Sequence, residues 1–284
     1  MSHEGERGAF LRVLVTSEKD IASLTIRKIL IEEFGFEETG ETFDSNPIWA
    51  MNKHTKLVTS ARDLILTNHL DKHFEAEAYI FCSRHRSKSG KPALLTHSTG
   101  NLGSEARFGG EPSTLSISAA SLVSRALKSL NDAQEDNDLA EFDVSMEATH
   151  HGPTSMSTPL VFVELGSDET YWKHRGGASA VAKAAVDCSG EPFSKTASIG
   201  IGGTHYVSKF NKMVLGGEAI FGHMAPKYAL ENMTEEVAKQ MIGRSLETIE
   251  SAIIDWKGTK SSQRNNILPL LEKFDIEIIR ARDV

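Results

Sequence analysis

The chain of 284 residues is short of several things, and each shortage excludes a class of protein. It has two cysteines, Cys82 and Cys188. Two cannot build a disulfide framework, and a reducing, cytoplasmic setting is the simplest expectation. Its eight prolines form no proline-rich tract, so no stiff linker divides the chain. Positive charge is in the minority: 31 Lys and Arg stand against 39 Asp and Glu, a net charge of −8. That argues against a protein held to nucleic acid by bulk charge, though a local basic groove is compatible with it. No run approaches the ~20 apolar residues of a membrane span. The opening MSHEGERGAF has no apolar signal core, so no membrane role is expected.

What is present is globular. The hydrophobic fraction of 39% and charged fraction of 25% are far from the signature of disorder. At roughly 150 residues per domain, the length by itself allows one large domain or two small ones. Residues 1–8 are polar and expected to be disordered. Residues 10–16 (FLRVLVT) read as a strand, and apolar residues at helical spacing follow over 21–34. A strand leading at once into a helix predicts an α/β layer. Further strands are expected at 47–60, 78–83, 93–96, 142–146, 160–165, 197–201 and 276–279. Helices are expected at 115–130, 176–186, 234–256 (with a weak point at Gly243) and 264–273. Residues 63–72 read as a short helix or loop, and 131–138 (NDAQEDND) as an acidic turn.

The functional signal lies in the eleven histidines. Several share one address, the end of an apolar strand beside Gly or a small polar residue: His85, His97, His150, His151, His205 and His223. In open α/β sheets such strand ends, where they share an edge, form ligand sites. The densest segment is Glu147-Ala-Thr-His-His-Gly-Pro-Thr154. Adjacent histidines in extended backbone point to opposite faces, and a tight turn at Gly152-Pro153 would bring both inward. Glu147 lies three residues before His150 and is placed to orient an imidazole. Glu164 stands inside the apolar run LVFVEL, where a buried carboxylate needs a donor or a metal. The glycine-rich Ile199-Gly-Ile-Gly-Gly-Thr-His-Tyr206 lacks the Gly-Lys-Ser/Thr ending of a Walker loop. It also shows no helical pattern at once after it, which argues against a dinucleotide fingerprint. Ser83-Arg-His-Arg-Ser-Lys-Ser-Gly-Lys91 is the densest basic loop, and guanidinium forks suit phosphate. His-Glu-x-x-His, a zinc-spaced cysteine pair and Gly-x-Ser-x-Gly are all absent. A zinc site, if present, would have to be assembled from distant histidines with Glu147 or Glu164.

Six segments occur in order: Ser83-Arg-His85, Leu95-Thr-His-Ser-Thr-Gly-Asn101, Glu147-Ala-Thr-His-His-Gly-Pro-Thr154, Phe162-Val-Glu-Leu-Gly-Ser167, Gly202-Gly-Thr-His-Tyr206 and Gly222-His223. As a set they resemble the D-aminoacyl-tRNA deacylases of the archaeal and plant type, from about residue 10 to the C-terminus. The resemblance implies a zinc-dependent, monomeric hydrolase of D-aminoacyl-tRNA. It also implies an α/β fold with a mixed-sheet core flanked by helices, similar to peptidyl-tRNA hydrolases and nucleoside phosphorylases, with added peripheral elements. Residues 9–284 would then be a single domain. Ester hydrolysis needs an activated water, a stabilised oxyanion and a substrate anchor. The expected catalytic centre is His150, His151 and Glu147, with His97, His151, Glu164 and His205 as metal ligands. Asn101, Thr149 and Tyr206 would contact the substrate, and Arg84, Arg86 and Lys88 the tRNA acceptor backbone. The competing readings are another metal-dependent hydrolase, such as an amidohydrolase or phosphodiesterase, and a non-catalytic tRNA-binding protein.

Overall fold

The computed structural model describes residues 10–136, 139–190 and 193–284. The tail expected to be disordered and the tip of the acidic turn at 137–138 lie outside them. Twelve strands fall into two sheets among the described residues. The larger sheet has eight strands in the order β2-β3-β4-β1-β5-β8-β6-β7. Its strands are β1 (Arg12–Ser17), β2 (Glu37–Phe43), β3 (Asn46–Asn52), β4 (Thr55–Ser60), β5 (Ala78–Arg84), β6 (Ala93–His97), β7 (Asp143–Met146) and β8 (Leu160–Gly166). The smaller sheet, in the order β10-β9-β11-β12, is parallel throughout. It contains β9 (Thr196–Ile201), β10 (Phe221–Ala225), β11 (Thr248–Ile254) and β12 (Glu277–Arg280).

Strands β4, β1, β5 and β8 run parallel. β6 turns against β8, and β7 follows β6 in parallel. Alternation along these strands sorts their side chains. Leu14, Leu57, Ile80, Cys82, Leu94, Val161, Val163 and Leu165 join a core with helices α1 (Ile21–Glu33), α2 (Ala120–Asp136) and α4 (Arg175–Gly190). The intervening residues Val13, Val15, Val58, Tyr79, Phe81 and Phe162 form a smaller cluster on the opposite face, which those helices leave uncovered. α1 begins where the Asp20 side chain accepts the Ser23 amide at 3.0 Å, an ordinary N-cap.

Four expectations need correction. The helix expected at 234–256 is instead helix α6 (Glu235–Gly243) followed by β11. Gly243 ends the helix, and the β-branched Ile249, Ile253 and Ile254 pair with β9. The helix expected at 115–130 starts later and ends later. Residues 115 and 118 make β-bridges, and Glu247 caps α2 from a distance by accepting the Ala120 and Ser121 amides at 3.0 and 2.8 Å. α2 then absorbs much of the acidic turn, through Asp136. A helix, α5 (Ser208–Gly216), does follow the glycine-rich segment after β9. β2 was not expected; its side chains are exposed apart from Phe43, as suits an edge strand. The remaining helices are α3 (Glu169–Trp172) and α7 (Ser261–Leu271).

Candidate functional site

The strand-end histidines do not share one edge of the sheet. Because β6 opposes β8, His97 at the end of β6 pairs with Phe162 near the start of β8, whereas Arg84 at the end of β5 pairs with Leu165. His85 and His97 therefore enter from opposite edges and meet over the face that the helices leave open. Three rows of side chains build that face. The rings of Phe81, Phe162 and His97 lie nearly parallel, with centroids 4.8 and 5.3 Å apart. In the next row Ser83 Oγ donates to Glu164 Oε1 at 2.7 Å. Beyond it His85 occupies space that a side chain at 166 would fill: a Cβ on Gly166 would sit 2.9 Å from His85 Cβ.

The segment after β7 closes the site from the side of the smaller sheet. Ala148 N donates to His205 O and Thr149 N to Met224 O, which ties it to the ends of β9 and β10. His151 takes the left-handed conformation (φ 45°), and its ring centroid lies 4.5 Å from that of His150. Both rings thus face inward, with the turn at His151 itself just before the expected Gly152-Pro153. His150 Nδ1 faces Ala148 O at 2.8 Å and His151 Nδ1 faces Gly152 O at 2.6 Å. An Nδ1–H donated to a carbonyl leaves Nε2 with its lone pair toward the site. The His97 ring lies 4.2 Å from His150 and 4.8 Å from His151, and His205 lies 4.8 Å from His150.

Two buried carboxylates sit among these rings. Glu164 approaches His85 Nδ1 at 3.4 Å and His97 Nε2 at 3.7 Å. Glu147, with 0% side-chain exposure, lies 3.0 Å from His205 Nε2, 3.6 Å from His85 Nδ1 and 4.0 Å from His150 Nε2. The approach of His205 lacks hydrogen-bond alignment, so both Glu147 oxygens are buried without a hydrogen-bond partner, as are His85 Nε2 and His97 Nε2. The environment sorts the histidines into two classes. Burial works against charge on His85 and His97, but the Glu164 carboxylate outweighs it and raises both. Burial also works against charge on Glu164, and His85 and His97 hold it well below the carboxylate range. Burial, reinforced by the neighbouring imidazoles, pushes His150 well below the usual histidine value. Burial, with His97 adding to it, pushes His151 down to about 4.

Among the described residues, three groups have ligand atoms close enough to share a metal ion: His97, His150 and His151; Glu147, His150 and His205; and His85, Glu147 and Glu164. The four expected ligands are distributed over these groups and do not form one set. The donor set of imidazole nitrogens and carboxylate oxygens, several without partners, fits a metal ion that takes nitrogen and oxygen ligands. A cavity of about 470 Å³ opens onto the cluster, lined by His85, His150, His151, Glu164 and His205 together with Arg84, Arg86 and the apolar Leu64, Ile65 and Phe162.

The other expected residues separate. Tyr206 lies beside His205 and His85, with ring centroids at 5.4 and 6.4 Å. Arg86 and Arg84 extend over Trp172, whose Nε1 donates to His85 O at 2.8 Å. Arg84 also donates to Lys19 O and pairs with Asp63 at 3.9 Å, so its guanidinium is partly engaged. Lys88 is exposed and does not line the cavity. The Asn101 amide is taken up by Gly109 O and Glu111 O, which makes it a brace for the loop after β6. The Thr149 hydroxyl is occupied by Met224 N and His223 Nδ1. His223 itself lies behind the site, facing Ser116 O and Arg244 O, because it is inside β10 and not past its end. Ser83, Phe108, Phe162, Trp172 and Tyr228 were not singled out as site residues. Period-two spacing from His85 identifies Ser83; Tyr228, whose hydroxyl lies 3.1 Å from His205 Nδ1, follows the end of β10.

This assembly can be set against known proteins. The family model for D-aminoacyl-tRNA deacylase matches residues 72–279. The D-aminoacyl-tRNA deacylase of Thermococcus onnurineus is 36% identical over 279 residues, covering 95% of this chain and 100% of the relative. That of Methanocaldococcus jannaschii is 33% identical, covering 93% and 97%. A crystal structure of a conserved protein of unknown function superposes with a TM-score of 0.88 at 30% identity, over 97% of this chain and 96% of its own. The match spans both sheets and every histidine and carboxylate of the buried cluster, so the chain belongs to the D-aminoacyl-tRNA deacylase family.

Proposed function

We propose that this protein hydrolyses the ester between a D-amino acid and the 3′-terminal adenosine of tRNA, freeing both. The observation that carries the reading is Glu147: a fully buried carboxylate with neither oxygen hydrogen-bonded, ringed by His85, His150 and His205 beside a cavity. Such a group is costly for folding alone, and a site that handles protons or cations accounts for it. Family membership supplies the substrate class.

The two histidine classes divide the work. His150 and His151, kept neutral, present Nε2 as proton acceptors for the attacking water. His85, whose protonated form Glu164 favours and which lines the cavity, is the donor toward the developing oxyanion or the leaving 3′ oxygen, with His97 behind it on Glu164. Glu147 takes the proton passed on by His150 or His205. Zinc belongs to this reading: one of the three groups (His97, His150 and His151; Glu147, His150 and His205; or His85, Glu147 and Glu164) would hold it in place of that group's acid–base role, and there it would supply Lewis acidity and lower the pKa of a bound water to roughly 7.

The test is a deacylation assay on paired D- and L-aminoacyl-tRNA, with and without chelator. Hydrolysis of the D form only, lost with the metal and restored by zinc, is expected. Equal rates on both enantiomers overturn chiral proofreading, and full activity after verified metal removal overturns the zinc assignment.

A further inference from the structure

A second cavity, of about 460 Å³, meets the first at the histidine cluster. His150, His151 and Phe108 line both, so they form the wall between two chambers. The second chamber is otherwise built from the loop after β6, including Asn101, Leu102 and Arg107, and from Thr149, Tyr228 and Ala229. Among the described large apolar side chains that stand out from the surface, Phe108 at 70% and Tyr228 at 60% are the two most exposed, and both line this one chamber. Tyr228 is also fixed by its contact with His205 Nδ1 at 3.1 Å, so its ring is presented in a defined place.

We propose that this chamber is a nucleobase subsite, in which the adenine of the substrate's terminal adenosine stacks on Phe108 and Tyr228. The inference rests on the deacylase reading above, and it assigns the two halves of that substrate. An ester cleaved at His150 and His151 has its acyl part on one side of the wall and its nucleoside on the other. Aromatic faces bind any base by stacking without needing paired hydrogen bonds. The lining points the same way. The carboxylates of the first chamber are already engaged, Asp20 by the Ser23 and Arg84 amides, Asp63 by Arg84 and Glu164 by Ser83 and His85, whereas the second chamber holds both exposed rings, Phe108 and Tyr228. The base therefore fits the second chamber and the aminoacyl group the first.

The probe is the trinucleotide CCA with 2-aminopurine in place of the terminal adenine, titrated onto the full chain while its fluorescence is followed. Stacking predicts saturable quenching. Phe108→Ala and Tyr228→Ala should each weaken binding roughly 5- to 150-fold, whereas Phe108→Trp and Tyr228→Phe, which keep a ring, should bind within about threefold of wild type. In deacylation, the alanine variants should raise KM by one factor for D-alanyl-tRNA and D-tyrosyl-tRNA alike. Unchanged trinucleotide affinity in both alanine variants overturns the subsite. So does a KM increase that grows with the amino-acid side chain, which would mark the chamber as the aminoacyl pocket. Absence of quenching with wild-type protein that deacylates normally overturns the subsite alone; quenching without any D-aminoacyl-tRNA hydrolysis overturns the deacylase reading alone.

Discussion

The two faces of the eight-stranded sheet are made by the same strands and have opposite characters. Along β8, Val161, Val163 and Leu165 enter the helix-covered core, while Phe162, Glu164 and Gly166 shape the site. On β5, Ile80 and Cys82 pack under the helices, while Phe81 and Ser83 face Phe162 and Glu164. The covered face gains its free energy from apolar burial. The open face has a smaller apolar cluster, and at the site it holds buried carboxylates and polar atoms without hydrogen-bond partners, which stabilise nothing by themselves. A substitution on one face should therefore move stability, and a substitution one residue along should move activity.

The largest expected effect tests the open face. Glu147→Gln keeps the shape and removes the charge. Single-turnover deacylation should slow by about 10²- to 10⁴-fold, the usual span for lost acid–base assistance. The thermal midpoint should hold or rise, because a buried carboxylate without a hydrogen bond is gone. A variant that keeps a tenth of wild-type activity would remove Glu147 from the chemistry. Next comes the covered face. Leu165→Ala should cost about 2–5 kcal/mol in denaturant unfolding and leave kcat per folded molecule within about twofold. A matching loss of kcat would show that the faces are not separable. Gly166→Ala lies on the boundary. Its Cβ would fall 2.9 Å from His85 Cβ and Cδ2, so the imidazole must shift. About a tenfold loss of kcat is expected, with a stability change of about 1–3 kcal/mol from overpacking. If stability falls and kcat does not, the position of His85 is not part of the mechanism.

Much of this was legible in the chain. The apolar runs of β5, β6, β8 and β9 mark themselves, and the Glu147–Thr154 segment does hold the centre of the cluster. Strand direction was not legible. Nothing in residues 93–97 says that β6 runs against β8, and that reversal moves the site from an edge to a face. His223 shows the same limit: its local sequence resembles that of His205, yet being inside β10 turns its ring to backbone carbonyls. The 234–256 segment departs from the expected helix because helical spacing and buried-strand composition overlap in short apolar runs, and pairing with β9 decides between them. Phe108 and Tyr228 carry no periodic signal, since they stand on loops whose course is set by distant contacts such as those of Asn101 with Gly109 O and Glu111 O.

The smallest expected effect concerns how the open face is held together. Where the covered face has helices, the open face has polar ties, and one fastens the cavity wall that includes Leu64 and Ile65. In the turn between β2 and β3, Asp44 Oδ2 accepts Ser60 Oγ at 2.9 Å and Ala61 N at 3.1 Å and faces His69 Nε2 at 3.0 Å. Burial pushes the Asp44 carboxyl up, but His69, Ser60 and Ala61 together outweigh it and hold it below the ordinary value. A carboxyl depressed in the folded state stabilises that state above its unfolded value of about 3.9, and the contribution is lost as pH falls through the folded value. Asp44→Asn removes the titration and tolerates the left-handed φ of 50°. At pH 7 the variant should be less stable by at most about 1 kcal/mol. The two curves should draw together as pH falls below about 3.9 and meet only once it has passed the depressed folded value. The Leu165→Ala deficit, being apolar, should keep its size over the same range. An Asp44→Asn deficit that persists undiminished at pH 3 would show that the turn acts through its backbone, and the contrast between polar and apolar faces would lose this support.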